Sequence, residues 1–211
     1  YNYLYDDSRP TWDHNINIKG GTKALSYMVS GRYYQQKGVN RIEPDMFKSY
    51  NFRVKLQAEI KPWLTIASNT KFFQSNYKYY GYEDEYNNFR KPTLHALASF
   101  VPVNPDGTAV SHTSMTQSST HYLMDGYSAM MQKGKSFGNK KTQEITTTFE
   151  ATFKLHKNFN VKADFSYTQG YLHNDYRSVN VQYSQYPGEV MTEPEGSFPN
   201  KYKEVVWDQN Y

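Results

Sequence analysis

The residues best suited to catalysis or metal binding are three consecutive acids, Glu83, Asp84 and Glu85, and six histidines. Carboxylates in one loop can bind a cation or serve as the acid and base of glycoside hydrolysis. The alternative is a solvated acidic loop surface. The histidines, at positions 14, 95, 112, 121, 156 and 173, show no HExxH or other metal-ligand spacing. We therefore expect no catalytic residue, no metal site, no cofactor and no enzyme activity.

Tyrosines concentrate in the segment YKYYGYEDEY, residues 77–86. Their rings stack on the apolar faces of sugars, and their hydroxyl groups form hydrogen bonds. In a long loop such rings can bind a ligand or a partner protein. The alternative is that they pack the loop against its neighbours. The candidate contact residues are Tyr79, Tyr80 and Tyr82.

The composition favours an all-β chain. Its 211 residues include 21 tyrosines, 12 phenylalanines and 3 tryptophans, which prefer strands. The net charge of +4 is small and forms no basic run, so we expect no nucleic-acid partner. Without cysteine the chain has no disulfide or thiolate metal site. Mean hydropathy is −0.87, and no apolar run is long enough for a membrane helix.

Six segments alternate apolar and polar residues with a period of two, which predicts strands. They are residues 13–20, 25–35, 50–60, 64–74, 143–155 and 159–171. In the fifth, QEITTTFEATFKL, Ile145 and Phe149 lie on one face, and Glu144 and Glu150 lie on the other. The same alternation places four cations on the polar face of their strands. These cations are Arg32, Arg53, Lys55 and Lys162.

The links between these segments alternate between short and long. Long loops are predicted at residues 36–49, 75–142 and 173–206, and a short helix is predicted near 91–100 within the second loop. Short turns at one end and long loops at the other are typical of outer-membrane barrels. We therefore expect the apolar face to meet lipid and the polar face to meet a wet lumen. The four cations would tune selectivity or pair with Glu59, Glu150 and Asp164.

Six strands are too few to close a spanning barrel, since known ones start at about eight strands. The expected fold is therefore a partial antiparallel transmembrane β-barrel with long extracellular loops. The remaining barrel strands would come from residues outside this sequence, so we expect a segment of a longer protein.

Two stretches resemble one family. They are HNINIKGGTKALSYMVSGRYYQQKGV, residues 14–39, and SYNFRVKLQAEIKPWLTIASNTKF, residues 49–72. Their motifs, in this order and spacing, are similar to the barrel of SusC/RagA-type TonB-dependent outer-membrane transporters. PVNPDG at 102–107 and residues 149–167 are also similar to that barrel. The resemblance covers most of the chain and is densest over 12–73.

The resemblance implies a plugged barrel of about 22 strands in the bacterial outer membrane. Such transporters import oligosaccharides, or in some members peptides, with energy delivered through TonB. The implied partners are a SusD-like surface lipoprotein, outer-membrane lipid, and the remaining barrel and plug segments. The plug, the TonB box and the last barrel strand have no counterpart here, so this segment is not expected to transport alone.

Two other functions fit parts of the sequence. One is a soluble secreted β-sandwich that binds glycans through exposed tyrosines. The other is a glycan-cleaving enzyme that uses the Glu83–Glu85 cluster. A sandwich would bury the Phe149 face beneath a second sheet, whereas a membrane strand would leave that face bare.

Overall fold

The computed structural model describes residues 5–41, 43–80, 103–108, 134–179, 182–184, 187–189, 191–192 and 201–210. Its strands are β1 (Thr11–Gly21), β2 (Leu25–Lys37), β3 (Met46–Lys61), β4 (Leu64–Tyr80), β5 (Phe137–His156), β6 (Phe159–Ser178), β7 (Gln182–Tyr183), β8 (Met191–Thr192) and β9 (Lys201–Asn210). No helix within these residues is long and apolar enough to cross a membrane.

Seven of the strands form one open sheet in the order β1-β2-β3-β4-β5-β6-β9, and all neighbours are antiparallel. β7 and β8 form a separate two-stranded ribbon. The all-β class and the six predicted strands are confirmed. The first six strands form an up-and-down meander, so the β1–β2, β3–β4 and β5–β6 turns all lie at one end of the sheet, as predicted.

The predicted strands are too short at the end carrying the long loops. β4 continues to Tyr80, and β5 begins at Phe137, so both ends of the predicted 75–142 loop are strand. The pairs from Ser75↔Thr142 to Tyr80↔Phe137 extend this ladder without a break. Polar residues occupy both faces there, so the two-residue alternation fades although backbone pairing continues.

The seventh strand of the sheet was missed, because β9 lies largely within the predicted 173–206 loop. Adjacent Val205 and Val206 point to opposite faces, and Trp207 lies on the Val205 face. Both faces of β9 therefore carry apolar side chains, and the two faces do not differ in polarity. Pairing with residues 169–178 of β6 makes it a strand.

The strand register gathers the predicted apolar residues onto one face. Ile16 pairs with Gly31, Gly31 with Phe52, Phe52 with Phe72, and Phe72 with Ile145, so a single row crosses five strands. This face is bare: Phe149 is 52% exposed and Phe165 is 66% exposed. Among the described residues no second sheet covers it, contrary to what a sandwich requires.

The apolar residues of this face form a belt with two well-defined edges. Toward the long loops its last members are Tyr33, Tyr50, Phe72, Ile145 and Tyr167 on β2 to β6. The next outward residues are polar on each strand: Gln35, Lys48, Gln74, Gln143 and Gln169. Toward the turns the belt ends at Leu25, Ile60, Leu64, Leu155 and Phe159. No outward position between these edges on β2–β6 carries a charged residue.

The belt runs obliquely across the sheet. From β2 to β6 each edge moves toward the turns by about one residue per strand, which the register shows directly. With a rise of ~3.3 Å per residue and a strand spacing of ~4.8 Å, this slope equals a strand tilt of about 35°. Measured across the tilted strands, the belt is about 22–27 Å tall.

Candidate functional site

The candidate site is the face of the sheet opposite the apolar belt, here called the polar face. All four predicted cations lie on it: Arg32 on β2, Arg53 and Lys55 on β3, and Lys162 on β6. Their placement on one face follows from the same alternation that built the belt, since successive strand residues point to opposite faces. Whether these cations act on a ligand or a plug stays a prediction.

Arg32 is held by an acid on the neighbouring strand. Its Nε and Nη2 donate to the two carboxylate oxygens of Asp13 on β1, at 2.8 and 2.5 Å. Its guanidinium carbon also lies 5.7 Å from the centre of the Tyr34 ring. This two-point contact fixes the plane of the guanidinium group. Asp13 was not among the acids expected to pair with the cations.

Lys162 forms the expected pair, with its Nζ 2.8 Å from Glu150 on β5. Arg53 contacts a neutral group instead, because its Nε donates to Asn69 Oδ1 at 2.9 Å. Lys71 pairs in register with Arg53 on the same face, and sequence analysis did not select it. Lys55 and Lys71 form no ion pair with a described residue. Like charges directly opposite each other are unfavourable, so Arg53 and Lys71 favour an acid nearby, and Glu144 lies diagonally across from Lys71 on β5.

Two shallow concavities open on this part of the sheet. One, of about 340 Å³, has Arg32, Arg53, Lys71 and Glu144 in its lining. The second, of about 530 Å³, lies nearer the turns and includes Lys55 and Glu150. Asparagine and serine side chains occupy the remaining polar positions, including Asn15, Asn17, Ser30 and Asn51 in the first concavity. The polar face can therefore hold water and bind polar groups.

Tyr79 lies on the polar face near the long loops, and it is only 3% exposed. Gly138 pairs with both Tyr79 and Tyr176, and Tyr176 is 6% exposed. A Cβ atom at Gly138 would lie 2.3 Å from Tyr79 Cζ, so the glycine provides the space that the ring occupies. The Tyr79 ring also stacks on Tyr77 with centroids 5.5 Å apart. Tyr79 thus packs the sheet, whatever its hydroxyl group contacts.

Tyr80 points away from Tyr79, because the two are adjacent in β4. It is partly exposed, and Lys78 Nζ lies 4.9 Å from the centre of its ring. The expected tyrosine surface is therefore divided between two faces of a strand, where a single loop surface was predicted. Tyr82, the acids at positions 83–85 and the predicted helix at 91–100 lie outside the described residues. Tyr176 and Gly138 were missed because nothing local marks their pairing with Tyr79.

A hydrogen-bonded turn connects two long-loop segments. The Asp106 carboxylate accepts hydrogen bonds from the Thr108 hydroxyl at 2.6 Å, from the Thr108 amide at 3.0 Å and from the Gly188 amide at 2.7 Å. These donors, the Thr108 hydroxyl first, hold the pKa of Asp106 below its ordinary value. The carboxylate therefore stays ionised at neutral pH and keeps residues 103–108 against 187–189.

The described residues contain no group of three or more histidine, cysteine, aspartate or glutamate side chains that could hold a metal ion. The expectation of a site without covalent chemistry remains a prediction. What the polar face offers is charge, hydrogen bonding and aromatic surface.

Comparison with known proteins identifies the fold. No protein-family profile and no curated protein matches the sequence. A solved structure of the RagAB peptide importer in the closed-closed state aligns with 99% of this chain at a TM-score of 0.54 and 14% identity. A structure of the RagAB peptide transporter aligns with 98% at 0.54 and 13% identity. The chain spans 30% and 29% of these neighbours. At this identity the likeness concerns the fold, and it confirms the expected class: part of an antiparallel β-barrel.

Proposed function

We propose that this chain is a membrane-spanning barrel segment of a nutrient importer in the bacterial outer membrane. The apolar belt faces lipid, and the polar face lines the route of the imported molecule. Transport depends on the remaining barrel and plug, on energy delivered through TonB, and on a SusD-like lipoprotein at the long-loop side. The cargo is a peptide or an oligosaccharide. Peptide is the first class to test, because the structural neighbours are described as peptide importers.

The belt carries this proposal. Strands of outer-membrane barrels tilt by ~35–45° and show an apolar band ~25 Å tall. The tilt of about 35° and the height of about 22–27 Å found here agree with both values. The two hydroxyl groups of Thr70 and Thr147 within the belt bond to each other at 3.2 Å, so neither requires water. A soluble protein has no reason to leave such a belt uncovered.

The polar face supports a role in binding and passage of the cargo. Arg53, Lys55 and Lys71 offer positive charge and form no ion pair with a described acid, and Arg32 is fixed by Asp13. Such a surface can bind carboxylate groups of a peptide or a segment of the plug. No step in this function makes or breaks a covalent bond.

Cysteine labelling tests the orientation of the two faces. The chain has no cysteine, so Phe165→Cys and Ser166→Cys place single thiols on neighbouring residues at one depth of β6. In the intact protein in lipid vesicles, with any other cysteine removed, a water-soluble maleimide should label Ser166→Cys at least about tenfold faster. A lipid-phase quencher should act only on a fluorophore at Phe165→Cys. Equal labelling, or the reverse order, would contradict the proposal.

Tyr80 and Tyr82 are candidates for cargo or partner contact. Replacing both Tyr80 and Tyr82 by alanine should weaken cargo binding or assembly with the lipoprotein by about tenfold, as for aromatic interface residues. Isothermal titration and pull-down of the complex provide the two measurements. Tyr79→Phe is the control, because it keeps the ring packed on Gly138 and should change neither. If the double variant leaves both quantities unchanged, these tyrosines have no role in recognition.

A further inference from the structure

A cluster of lysines lies on the outward face just beyond the belt, on the side of the long loops. Asn76 on β4 pairs in register with Lys48 on β3 and Lys141 on β5. Lys78 follows Asn76 by two residues and points the same way. The three lysines surround Asn76 with cations on three sides. The four residues together are here called the lysine cluster. Directly opposed side chains have Cβ atoms ~4.5–5.5 Å apart, and residues two apart in a strand are separated by ~6.6 Å.

The charge of the lysine cluster is not compensated nearby. Lys48 and Lys141 form no ion pair with a described residue. Lys78 is held by rings, since its Nζ lies 4.9 Å from the Tyr80 centroid and 5.5 Å from the Phe137 centroid. Outward positions beyond the belt on β2–β5 contain no acid. The first acid on this face is Asp175, on β6.

The outward cation beyond the belt on β2 differs from the lysine cluster, because it has an acidic partner. Lys37 on β2 is 2.9 Å from Asp6, which also contacts Arg41 at 3.3 Å. The charge of Lys37 is therefore paired with an acid of the protein itself. Among β2–β5, the outward positive charge that remains lies on β3, β4 and β5, and on β6 Arg177 also points outward, in register with Phe137.

The depth of the lysine cluster matches a membrane interface. Lys48 lies two residues beyond the belt edge at Tyr50, and Lys141 lies four beyond Ile145. With a tilt of about 35°, these positions stand about 5 to 11 Å outside the apolar zone. Lys78 lies farther out, but lysine stems bend along apolar surface and carry their ammonium groups several ångströms. The ammonium groups of Lys48 and Lys141 can therefore reach the level of lipid headgroups, and that of Lys78 joins them by leaving the Tyr80 and Phe137 rings.

We propose that the lysine cluster binds the phosphate group of an anionic lipid in the leaflet on the long-loop side. Clusters of lysines at a membrane boundary attract anionic headgroups, and the belt directly beneath would contact the acyl chains of the same lipid. Asn76 donates from its amide to the phosphate oxygens between the lysines. This inference rests on the proposed function, because it requires the belt to face lipid.

The test uses the intact protein in nanodiscs of phosphatidylcholine that contain phosphatidic acid, with lipid retention read by native mass spectrometry. The test variant is Lys48→Gln/Lys78→Gln/Lys141→Gln. The matched control, Lys23→Gln/Lys61→Gln/Lys157→Gln, removes the same charge at the turn end of the sheet. Each lysine is expected to contribute roughly fivefold to the affinity for phosphatidic acid. The test variant should therefore lose at least about tenfold in this affinity, and the control should bind phosphatidic acid as tightly as the wild-type protein. Inorganic phosphate added as competitor should not displace the lipid.

Each other outcome has a definite reading. If both variants lose phosphatidic acid equally, or neither does, the lysine cluster is not the site. Displacement by inorganic phosphate would mean a free-anion site, and loss of the lipoprotein with lipid retained would mean a protein contact; both overturn the proposal. If wild-type protein inserts into the nanodisc without retaining phosphatidic acid, this inference fails and the proposed function stands. If it does not insert, both fail.

Discussion

Replacing Phe149 by arginine should cost about 2–4 kcal/mol of folding stability in a bilayer. Phe149 lies near the middle of the belt on β5, pairs in register with Ser68 and Phe165, and is 52% exposed. In lipid a guanidinium group at this depth has neither water nor a partner acid. Folding into vesicles at increasing urea concentration, read by heat-dependent gel mobility, measures the loss.

The adjacent Thr148 provides the matched control, since its side chain points to the polar face and bonds to Ser166 at 2.9 Å. Thr148→Arg introduces the same charge at the same depth, but into the wet side of the sheet. It should cost less than about 1 kcal/mol, because surface substitutions away from buried contacts have small effects. Equal losses for the two variants would show that the two faces meet the same solvent, and the membrane assignment would be wrong.

Replacing Gly138 by alanine should destabilise the long-loop end of the sheet by about 1–3 kcal/mol. The added methyl group would lie 2.3 Å from Tyr79 Cζ and 2.5 Å from its hydroxyl oxygen. The ring must move, and its stacking on Tyr77 must change with it. Urea unfolding from lipid gives the free energy. Hydroxyl-radical footprinting of Tyr79 and Tyr176 should show both rings becoming more reactive.

Gly31 is the control for this change. It also lies within a strand, but a Cβ atom there would be 3.5 Å from Ile16 Cγ2, an ordinary contact. Gly31→Ala should therefore change stability by less than about 0.5 kcal/mol. If Gly138→Ala behaves like Gly31→Ala and both tyrosines stay protected, the packing over Gly138 does not hold this end of the sheet together.

The strands that sequence analysis predicted best are those whose two faces meet different solvents. In β5 the alternation of Ile145 and Phe149 with Glu144 and Glu150 is complete, and the strand is observed. β9 was missed because Val205, Val206 and Trp207 place apolar side chains on both faces. Alternation of apolar and polar residues arises where the two faces of a strand meet different environments. It therefore does not predict a strand whose two faces are alike.

The tyrosines show the same limit at the level of the site. A cluster of rings in the sequence predicted one recognition surface, but the strand continues to Tyr80 and divides the rings between its faces. Tyr79 is buried because Gly138, almost 60 residues away, is its partner. Lys71 could not be selected from the sequence for the same reason, since its position opposite Arg53 depends on the register of β3 and β4.

The amino-acid order by itself determined six of the strands, which face of each is apolar and at which end their turns lie, because these properties come from neighbours in the chain. Tertiary structure alone decided the register that aligns five strands into one belt, its tilt and its two edges. It also decided which distant residues fill the space above Gly138 and which lysines surround Asn76. Hydrogen bonds between strands and the geometry of the turns set these relations, because a shift of two residues keeps every side chain on its face and the alternation within one strand does not exclude it.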